Sequence, residues 1–357
     1  MKIIGAHLFN DYSGSPLVFS QLLTHWSQKQ QEVLLYTSSQ KGRLSNIQNI
    51  RYRLYRYQWS KNKLVTLFKF LKVNLYLFIS ILFTAKKSDI VYVNTLLPFG
   101  AALAAKVKGA SVVYHKHETS VQPKSFKAFL KKVQKFTVDK TIYVSRFLKE
   151  LEGENGKGAG YVVHNSLSDD FIGRAEQHLL NGDKKPENVL MLASLREYKG
   201  VKEFFELAVM LPQYPFELLL NADKLEIGTY LESHRKPDNL IIHEAVEDVH
   251  PFYCRAKVVL NLSRPDEWAE TFGMTSVEAM KYGIPVIFPP VGGPVEIVKP
   301  DFGFLISCYQ LDEMAQVITK LYSNDLRYQS LSAGALKTVT SYYPASFLQQ
   351  VDQIIQS

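Results

Sequence analysis

Two glutamates, Glu270 and Glu278, are separated by seven residues in the segment E-T-F-G-M-T-S-V-E-A-M-K-Y-G. Gly273 permits a sharp turn, and Thr275 and Ser276 are suitable N-cap residues. This predicts that Glu270 lies in a loop at the mouth of a helix, with Glu278 one to two turns inside it. The free N–H groups and the dipole of such a helix end suit a phosphate. Two carboxylates beside that anion pocket suit a ligand with hydroxyls on both sides of a diphosphate, such as a nucleotide-sugar.

Two cations follow a predicted strand and suit the same ligand. Arg196 and Lys199 come after the apolar run 189–193, and ligands bind outside the carboxyl ends of strands in open parallel sheets. Cations there can neutralise a diphosphate and stabilise the charge that grows as a sugar bond breaks. The alternative is that both are solvated loop charges, as most such residues are.

Small residues follow the first predicted strand. Ser13, Gly14 and Ser15 lie between strand 3–8 and the first helix, where backbone can approach a phosphate closely. The segment 153–160 is also rich in glycine, but no strand precedes it and no Ser or Thr follows its lysine. It therefore does not match a P-loop, and we predict a mobile turn.

The segment V-V-Y-H-K-H-E ends a predicted strand with His115, His117 and Glu118. These side chains could ligate a metal, but the histidines alternate along an extended segment and no third partner is obvious, so no metal site is predicted. His115 is expected to pack in the core or lie at the surface.

Four segments together resemble the retaining glycosyltransferases of family GT4. The Glu-x7-Glu segment resembles that family's signature, and G-G-P-V-E-I-V at 292–298 resembles its Gly-Gly-x-x-Glu segment. L-R-E-Y-K-G at 195–200 resembles its Lys-Gly segment, and V-H-N-S at 163–166 resembles its interdomain Asn motif. The four motifs cover most of the second half and follow the order and spacing of the family.

This resemblance implies roles for the glutamates. Glu278 would bind the ribose hydroxyls and Glu270 the hydroxyls of the transferred sugar, which suits carboxylates as hydrogen-bond acceptors. The backbone N–H groups of Thr271, Phe272 and Gly273 would contact phosphate or sugar. The alternative has Glu270 exposed and Glu278 paired with a lysine such as Lys281.

The resemblance also implies a mechanism. His117 would lie near the transferred sugar, where it could donate a hydrogen bond to a sugar hydroxyl or orient the acceptor. Arg196 would substitute for an arginine that the family usually carries directly after a glycine. The chain contains no Asp-x-Asp, the pair with which other glycosyltransferases hold a divalent metal, so metal-independent transfer without a cofactor is expected. Retention is implied by the family. No carboxylate is an evident covalent nucleophile, which favours front-face substitution with the leaving phosphate as base.

Apolar runs alternate with helical patterns along both halves of the chain, which is typical of α/β proteins with parallel, doubly wound sheets. With the resemblance, this predicts the GT-B fold, in which two Rossmann-like domains face each other across a cleft. We expect domains at 1–165 and 187–342, a polar linker without periodicity at 166–186, and a C-terminal helix within 343–357 that packs back on the first domain. The predicted strands are 3–8, 33–37, 90–93, 112–115, 141–144, 189–193, 216–221, 240–243, 258–261 and 285–288.

The net charge of +8 is unevenly distributed. Residues 1–165 carry 25 Lys and Arg against 8 Asp and Glu, a net of +17, whereas the rest carries 17 against 26, a net of −9. The first half is therefore suited to an anionic partner. Two cysteines without metal-ligand neighbours, and a first strand that begins directly after Met1, predict a reduced, cytoplasmic chain without a signal peptide.

Two segments indicate contact with a membrane. The run 64–85 is long enough to span a bilayer, but its central lysines and asparagine favour a core helix or a helix in the membrane interface. The segment 124–140 places phenylalanines among lysines, which suits anionic lipid; a solvated basic helix is the alternative. We therefore predict peripheral binding at the inner face of the cell membrane through Lys124, Lys127, Lys131 and Lys132.

These observations favour a glycosyltransferase that moves a sugar from a UDP- or GDP-sugar to a glycan or lipid-linked acceptor. The resemblance suggests a role in bacterial surface polysaccharide assembly. A nucleotide-sugar 2-epimerase of the same fold is one alternative. A non-enzymatic basic module that binds membrane or nucleic acid is another, although no nucleic-acid motif accompanies the charge, so no nucleic-acid partner is expected.

Overall fold

Strands and helices alternate along the whole chain, as the apolar runs predict. The computed structural model describes residues 1–58, 60, 62–117, 121–153 and 158–357. The chain divides into two compact units, of which unit 1 comprises residues 1–165 and 344–357 and unit 2 comprises residues 166–343. Each unit is built on one parallel sheet.

Seven parallel strands form the sheet in the described part of unit 1, in the order β3-β2-β1-β4-β5-β6-β7. The strands are β1 (Lys2–Ala6), β2 (Glu32–Ser38), β3 (Arg51–Tyr55), β4 (Ile90–Asn94), β5 (Ser111–Lys116), β6 (Lys140–Tyr143) and β7 (Ala159–Val162). The helices between them are α1 (Gly14–Gln28), α2 (Lys63–Thr84), α3 (Phe99–Lys108), α4 (Lys124–Thr137) and α5 (Arg146–Glu152).

Helices cover both faces of this sheet, because successive strand residues point to opposite sides. Ile4 and Ala6 of β1 pack in one core with α2, α3 and α4. Ile3 packs in a second core with α1 and the C-terminal helix. Burial on both faces is why the central strands read as continuous apolar runs rather than alternating ones.

In unit 2, six described strands form a sheet in the order β10-β9-β8-β11-β12-β13. The strands are β8 (Asn188–Ala193), β9 (Phe216–Leu220), β10 (Leu240–His243), β11 (Ala256–Leu260), β12 (Val286–Phe288) and β13 (Gly303–Leu305). The helices are α6 (Asp169–Leu180), α7 (Val201–Met210), α8 (Lys224–Leu231), α9 (His250–Arg255), α10 (Met274–Lys281), α11 (Pro294–Ile297), α12 (Leu311–Ser323) and α13 (Asp325–Thr338).

The ten predicted strands are present within a few residues, and three further strands were not predicted. These are β3, β7 and β13, and each lies at the edge of its sheet. An edge strand is covered less completely, so it needs no continuous apolar run. β3 accordingly reads R-Y-R-L-Y, and β7 contains Gly160 from the segment predicted as a mobile turn; residues 154–157 of that segment lie outside the described part of the chain.

The stretch 166–186 differs from the aperiodic linker that we expected, because it contains α6. The Ser168 hydroxyl caps this helix by accepting from the Phe171 N–H, and Asp169 and Asp170 lie in its first turn. Within α6, Ala175 is the buried residue, so the apolar periodicity is weak. The capping residues carry the signal instead.

The last helix, α14 (Pro344–Gln356), belongs to unit 1. Its Asp352 carboxylate accepts from Trp26 Nε1 at 3.0 Å and lies 2.8 Å from His25 Nε2, both on α1. Lys29 Nζ completes the cluster at 2.5 Å. Burial alone would raise the pKa of Asp352, but hydrogen bonds from Lys29, His25 and Trp26 hold it below its ordinary value.

Candidate functional site

Helix α10 begins two to three residues earlier than the sequence indicated. Gly273 occupies its N-cap with φ +97°, a left-handed conformation that favours glycine. Thr275 and Ser276, expected at the cap, lie in the first turn, and the Ser276 hydroxyl donates to the Gly273 carbonyl at 2.7 Å. The prediction of Thr275 and Ser276 as caps is therefore wrong. Glu278 lies in the second turn of the helix.

Two glycines hold the loop that carries Glu270. Gly293 N–H donates to the Glu270 carbonyl at 2.8 Å. A Cβ on Gly292, whose φ is +82°, would lie 2.3 Å from that same carbonyl oxygen. A Cβ on Gly293 would lie 2.3 Å from the Thr271 carbonyl. The Gly-Gly pair is thus required for close backbone packing, which presents residues 270–273 at the start of α10.

Glu270 and Lys199 form an ion pair, although 71 residues separate them. Glu270 Oε1 also accepts from Ser263 Oγ at 3.0 Å. The two charged side chains are 17–18% exposed, so the alternative of an exposed Glu270 does not hold. Gly200 makes the approach possible, because a Cβ there would lie 2.1 Å from the Leu262 carbonyl oxygen. The carboxylate and the cation predicted for sugar and diphosphate therefore meet within unit 2.

An aromatic pair supports Lys199, and sequence reasoning missed it. The Tyr198 and Trp268 rings stack at 4.8 Å, and Lys199 Nζ lies 5.2 Å from the Trp268 ring centre, within the range of a cation–π interaction. The Tyr198 carbonyl accepts from Arg264 N–H at 2.8 Å. The sequence signal that could have indicated this pair is that each aromatic lies next to a predicted site residue. Tyr198 is one residue before Lys199, and Trp268 is two residues before Glu270.

Arg196 lies apart from this cluster. Its side chain is exposed, and the structure does not bring it to the Lys199–Glu270 pair. Its backbone instead starts the short 3-10 helix Glu197–Lys199, since the Arg196 carbonyl accepts from Lys199 N–H at 2.9 Å.

Glu278 is held by a buried phenol from a different helix. Tyr253 Oη on α9 donates to Glu278 Oε2 at 2.6 Å. Burial, and then the charge of Glu278, raise the pKa of Tyr253 well above 10, so the phenol keeps its proton and its donor role. Lys281, the alternative partner for Glu278, contacts Glu176 at 2.7 Å and donates to Tyr343 Oη at 2.9 Å. Nothing in the spacing of α9 and α10 along the chain pointed to Tyr253.

In unit 1, Asn94 joins His117 to the first turn of α1. Its Nδ2 donates to the Ser15 carbonyl at 3.1 Å, and its Oδ1 lies 2.8 Å from His117 Nε2. The Ser15 carbonyl can only accept, so the Asn94 atom that contacts it is the amide nitrogen. The other Asn94 atom is then the amide oxygen, which accepts from His117 Nε2. Asn94 sits at the end of β4, and the next residue, Thr95, has φ +73°. Such a conformation is strained for a β-branched residue and occurs often at functional sites.

His117 is a neutral imidazole at neutral pH. Burial, and then the neighbouring His115 and His7, place its pKa well below 6.5. Burial lowers the pKa of His7 to about 4 and that of His115 to about 3. Because Nε2 of His117 donates to Asn94, Nδ1 is the acceptor nitrogen of the ring. The role of His117 beside a sugar stays a prediction.

Ser13 caps α1, whereas Gly14 and Ser15, predicted to precede the first helix, lie in its first turn. Ser13 and Gly14 are exposed, and Ser15 is half-buried. Ser13 N–H and Oγ both donate to Asp11 Oδ1, at 2.9 and 2.5 Å. A Cβ on Gly14 would meet no described atom within 4 Å, so packing alone does not require glycine there. Ser15 contributes its carbonyl to Asn94. His115 packs in the core with its Nδ1 2.8 Å from Tyr92 Oη. Glu118 lies outside the described residues, among which no group of three metal-ligating side chains occurs.

Two of the four lysines predicted to bind lipid are engaged in a buried ion cluster. Glu152 lies 2.7 Å from Lys127, 3.4 Å from Lys131 and 2.5 Å from Lys116. Burial opposes ionisation of Glu152, but Lys116 and Lys127 lower its pKa to about 2. Lys124 and Lys132 are exposed.

The fold and these sites define the class of the protein. The two parallel α/β sheets and their glycine-held loops are those of a GT-B glycosyltransferase. Residues 12–167 match the family described as Glycosyltransferase Family 4, and residues 173–338 match Glycosyl transferases group 1. The chain belongs to family 4 of the glycosyltransferases, as its four motifs indicated.

Solved structures support the fold along the whole chain. The Anabaena protein HepE, solved with UDP and glucose, superposes with a TM-score of 0.77 at 18% identity, and the match covers 100% of both chains. Sucrose-phosphate synthase from Thermosynechococcus elongatus superposes with a TM-score of 0.74 at 16% identity, covering 100% of this chain and 98% of that one.

Curated relatives match over shorter stretches. Spinach (Spinacia oleracea) sucrose-phosphate synthase is 29% identical over 27% of this chain, and the match spans 9% of the spinach enzyme. Carrot (Daucus carota) sucrose synthase isoform 1 is 34% identical over 21% of this chain and spans 10% of the carrot enzyme. These matches therefore bear on the family and not on a particular substrate.

Proposed function

We propose that this protein transfers a sugar from a nucleotide-sugar to a glycan or lipid-linked acceptor. The observation that carries the proposal is the ion pair between Lys199 and Glu270. Glu270 lies four residues before the first residue of α10 and eight residues before Glu278 in that helix. In this proposal the cation, the two carboxylates and the N–H groups at the start of α10 all contact one donor molecule. The solved structures of Anabaena HepE with UDP and with UDP-glucose favour UDP as the nucleotide.

Each group in unit 2 has a role in this proposal. Glu278, held by Tyr253, accepts the ribose hydroxyls. The N–H groups of Thr271, Phe272 and Gly273 bind the diphosphate at the positive end of the α10 dipole. Lys199 leaves Glu270 and moves onto the phosphate, where it stabilises the charge of the departing diphosphate. Glu270, released from Lys199, then accepts hydroxyls of the transferred sugar.

The remaining assignments are proposals of the same kind. In unit 1, Ser13 and the first residues of α1, Gly14 and Ser15, contribute N–H groups, and His117 forms a hydrogen bond with a sugar hydroxyl or orients the acceptor. Arg196, which is exposed after β8, adds positive charge. Because Lys199, Arg196 and the α10 N-terminus supply that charge, transfer proceeds without a divalent metal. We further propose retention through front-face substitution, with the leaving phosphate taking the acceptor proton.

The biological setting that we propose is assembly of a bacterial surface polysaccharide at the inner face of the cell membrane. The net charge of +17 on residues 1–165 supports an anionic surface as partner. On α4, Lys124 and Lys132 are exposed and can contact lipid phosphates. Lys127 and Lys131 instead form ion pairs with Glu152.

Donor turnover tests the proposed activity. The protein is incubated with UDP-glucose, UDP-galactose or GDP-mannose and an extract of bacterial lipid-linked glycans, and products are identified by mass spectrometry. We expect one donor to raise the melting temperature and to yield an acceptor enlarged by one hexose. Lys199→Ala should abolish that product, whereas Lys202→Ala on the exposed face of α7 should not.

Two other outcomes would overturn the proposal. A donor sugar that has changed configuration, without an enlarged acceptor, would indicate a 2-epimerase. Strong retention on heparin with no melting-temperature shift from any of these donors would indicate a non-enzymatic basic module.

A further inference from the structure

Three neighbouring helices of unit 1 carry many cations and no anions. Helices α2, α3 and α4 pack in sequence on the same face of the sheet. Together they contain ten lysines and no Asp or Glu. The lysines are Lys63, Lys69, Lys72, Lys106, Lys108, Lys124, Lys127, Lys131, Lys132 and Lys135. This layer therefore accounts for much of the positive charge of the first half.

Helix α2 in this layer is apolar on two opposite faces. Its inner face packs in the core through Phe70, Val73, Leu77 and Ile81. Its outer face carries large apolar side chains spaced three or four residues apart, which places them on one side of the helix. These are Leu64, Phe68, Leu71, Leu75, Ile79 and Phe83, and they are 76%, 70%, 47%, 59%, 47% and 85% exposed.

The inner face keeps α2 within unit 1. Asn74 Oδ1 accepts from Gly100 N–H at the start of α3 at 2.9 Å, and a Cβ on Gly100 would lie 2.0 Å from the Asn74 carbonyl. Ser80 lies 2.9 Å from Tyr36 Oη of β2. Among the described helices, α2 is the one long and apolar enough to cross a membrane. These contacts instead bind it to a folded domain along one side.

The outer face is larger than scattered surface residues would account for. It runs from Leu64 to Phe83, about 29 Å at the rise of an α-helix. A continuous apolar stripe of that length marks an interaction surface. Lys69 and Lys72 flank it on α2, and exposed Lys124, Lys132 and Lys135 lie two helices away.

We propose that the outer face of α2 docks into the surface of an anionic phospholipid bilayer, with lysines of α2, α3 and α4 on the lipid phosphates. Apolar side chains between snorkelling lysines are the composition that interfacial helices use. A second copy of the chain fits less well, because a symmetric contact would bring the same lysines of both copies together. The inference rests on the proposed peripheral association and moves its principal contact from α4 to α2.

Vesicle flotation tests the apolar part of the inference. Wild-type protein should float with vesicles of phosphatidylcholine and phosphatidylglycerol. The double variant Phe68→Gln with Phe83→Gln should bind them at least about tenfold more weakly, because two phenyl rings are no longer transferred from water into the bilayer. Both residues are exposed, so the melting temperature should not change. The matched control is Leu225→Gln with Leu326→Gln, two unit 2 residues that are 79% and 81% exposed.

Lipid composition tests the electrostatic part. Vesicles of phosphatidylcholine alone should bind wild-type protein at least about tenfold more weakly, and added salt should weaken binding to the anionic vesicles. Lys69→Gln with Lys72→Gln should reduce binding, whereas Lys224→Gln with Lys320→Gln in unit 2 should not.

Three results would overturn the inference. They are unchanged flotation of the phenylalanine variant, equal binding to both vesicle types, and a molar mass in light scattering that falls from dimer to monomer in that variant. The last result would assign the outer face to a second copy. Transfer to a water-soluble acceptor should be the same in all these variants, so loss of vesicle binding and failure of the proposed activity can be told apart.

Discussion

Lys199 and Glu270 neutralise each other in the structure, and this pairing has a consequence for donor binding. The cation that should bind the diphosphate is bound to the carboxylate that should bind the sugar. Under the proposed function, a donor exchanges this ion pair for two ligand contacts. Lys199 also lies 5.2 Å from the Trp268 ring centre, a contact that does not depend on Glu270.

Glu270→Gln should separate nucleotide binding from turnover. Without the ion pair, Lys199 is released, so the affinity for UDP should stay equal or rise by about fivefold, a typical value for a half-buried pair. Transfer should fall by about 100-fold or more, because the sugar loses its carboxylate. Calorimetry with UDP and a product assay measure the two effects. Glu206→Gln on the exposed face of α7 is the control, and weaker UDP binding by Glu270→Gln would contradict the pairing argument.

Tyr253→Phe should weaken the ribose contact specifically. The variant keeps the buried ring but loses the hydroxyl that donates to Glu278 at 2.6 Å. A hydrogen bond to a charged group is worth about 1.5–3 kcal/mol, so affinity should fall by about tenfold or more. The loss should be equal for UMP and UDP, since both contain the ribose.

A matched pair of variants checks this prediction. Lys199→Ala should weaken UDP more than UMP, because it acts on the diphosphate. Tyr328→Phe should change neither affinity, since the Tyr328 hydroxyl is buried without a hydrogen-bond partner among the described residues. A larger loss for UDP than for UMP in Tyr253→Phe would place Glu278 near the phosphates and not at the ribose.

At the scale of elements, the start of α10 depends on a neighbouring turn rather than on its own cap. Gly273 provides the left-handed cap residue, and Gly292-Gly293 hold the preceding loop through its carbonyls. The helix end that we propose as the phosphate site is thus built by two segments about twenty residues apart along the chain. The two glycine-containing motifs therefore form one packed unit.

Gly292→Ala should damage both stability and activity. The new Cβ would lie 2.3 Å from the Glu270 carbonyl, on a residue whose φ is +82°. We expect a loss of at least about 2 kcal/mol in the free energy of unfolding, measured with urea, together with weaker UDP binding. Gly228→Ala is the control, because that helical position has no neighbour within 4 Å of a Cβ and should gain up to about 1 kcal/mol. Equal stabilities of the two variants would refute the packing argument.

For the molecule as a whole, the C-terminal helix returns to unit 1, where it packs in an apolar core and forms a charged cluster through one carboxylate. Asp352 on α14 contacts His25 and Trp26 on α1 and Lys29 directly after it. These donors lower its pKa in the folded state below the ordinary value of 3.8. A depressed folded-state pKa contributes stability that is present above the ordinary pKa and is lost as the pH falls through the folded-state value.

Asp352→Asn should therefore destabilise the protein in a pH-dependent way. At pH 7 the variant should lose about 1–3 kcal/mol. The gap to the wild-type protein should narrow as the pH falls below the ordinary carboxyl value of 3.8. Urea denaturation at several pH values measures this gap, with the exposed Asp312→Asn as control. A gap that stays constant or widens in acid would show that the charge of Asp352 contributes nothing.

The sequence by itself determined the class of fold and the chemical character of the site. Continuous apolar runs identify strands buried on both faces, so the central strands were predictable, whereas the polar edge strand β3 and the weakly apolar helix α6 were not. Glu270, Glu278 and Lys199 were recognisable because their residue types and their spacing from turn-forming glycines suit a nucleotide-sugar.

Only the tertiary structure decided which of these groups touch. The pairing of Lys199 with Glu270, the support of Glu278 by Tyr253 and the placement of His117 on Asn94 all join residues that are distant along the chain. Each contact depends on which strands are neighbours in the sheet and how closely their loops pack. Local spacing does not encode that information, because strand order is set by burial over a whole domain. The outer face of α2 is a further example, since apolar residues on all sides of a helix become a surface only once the core has taken one side.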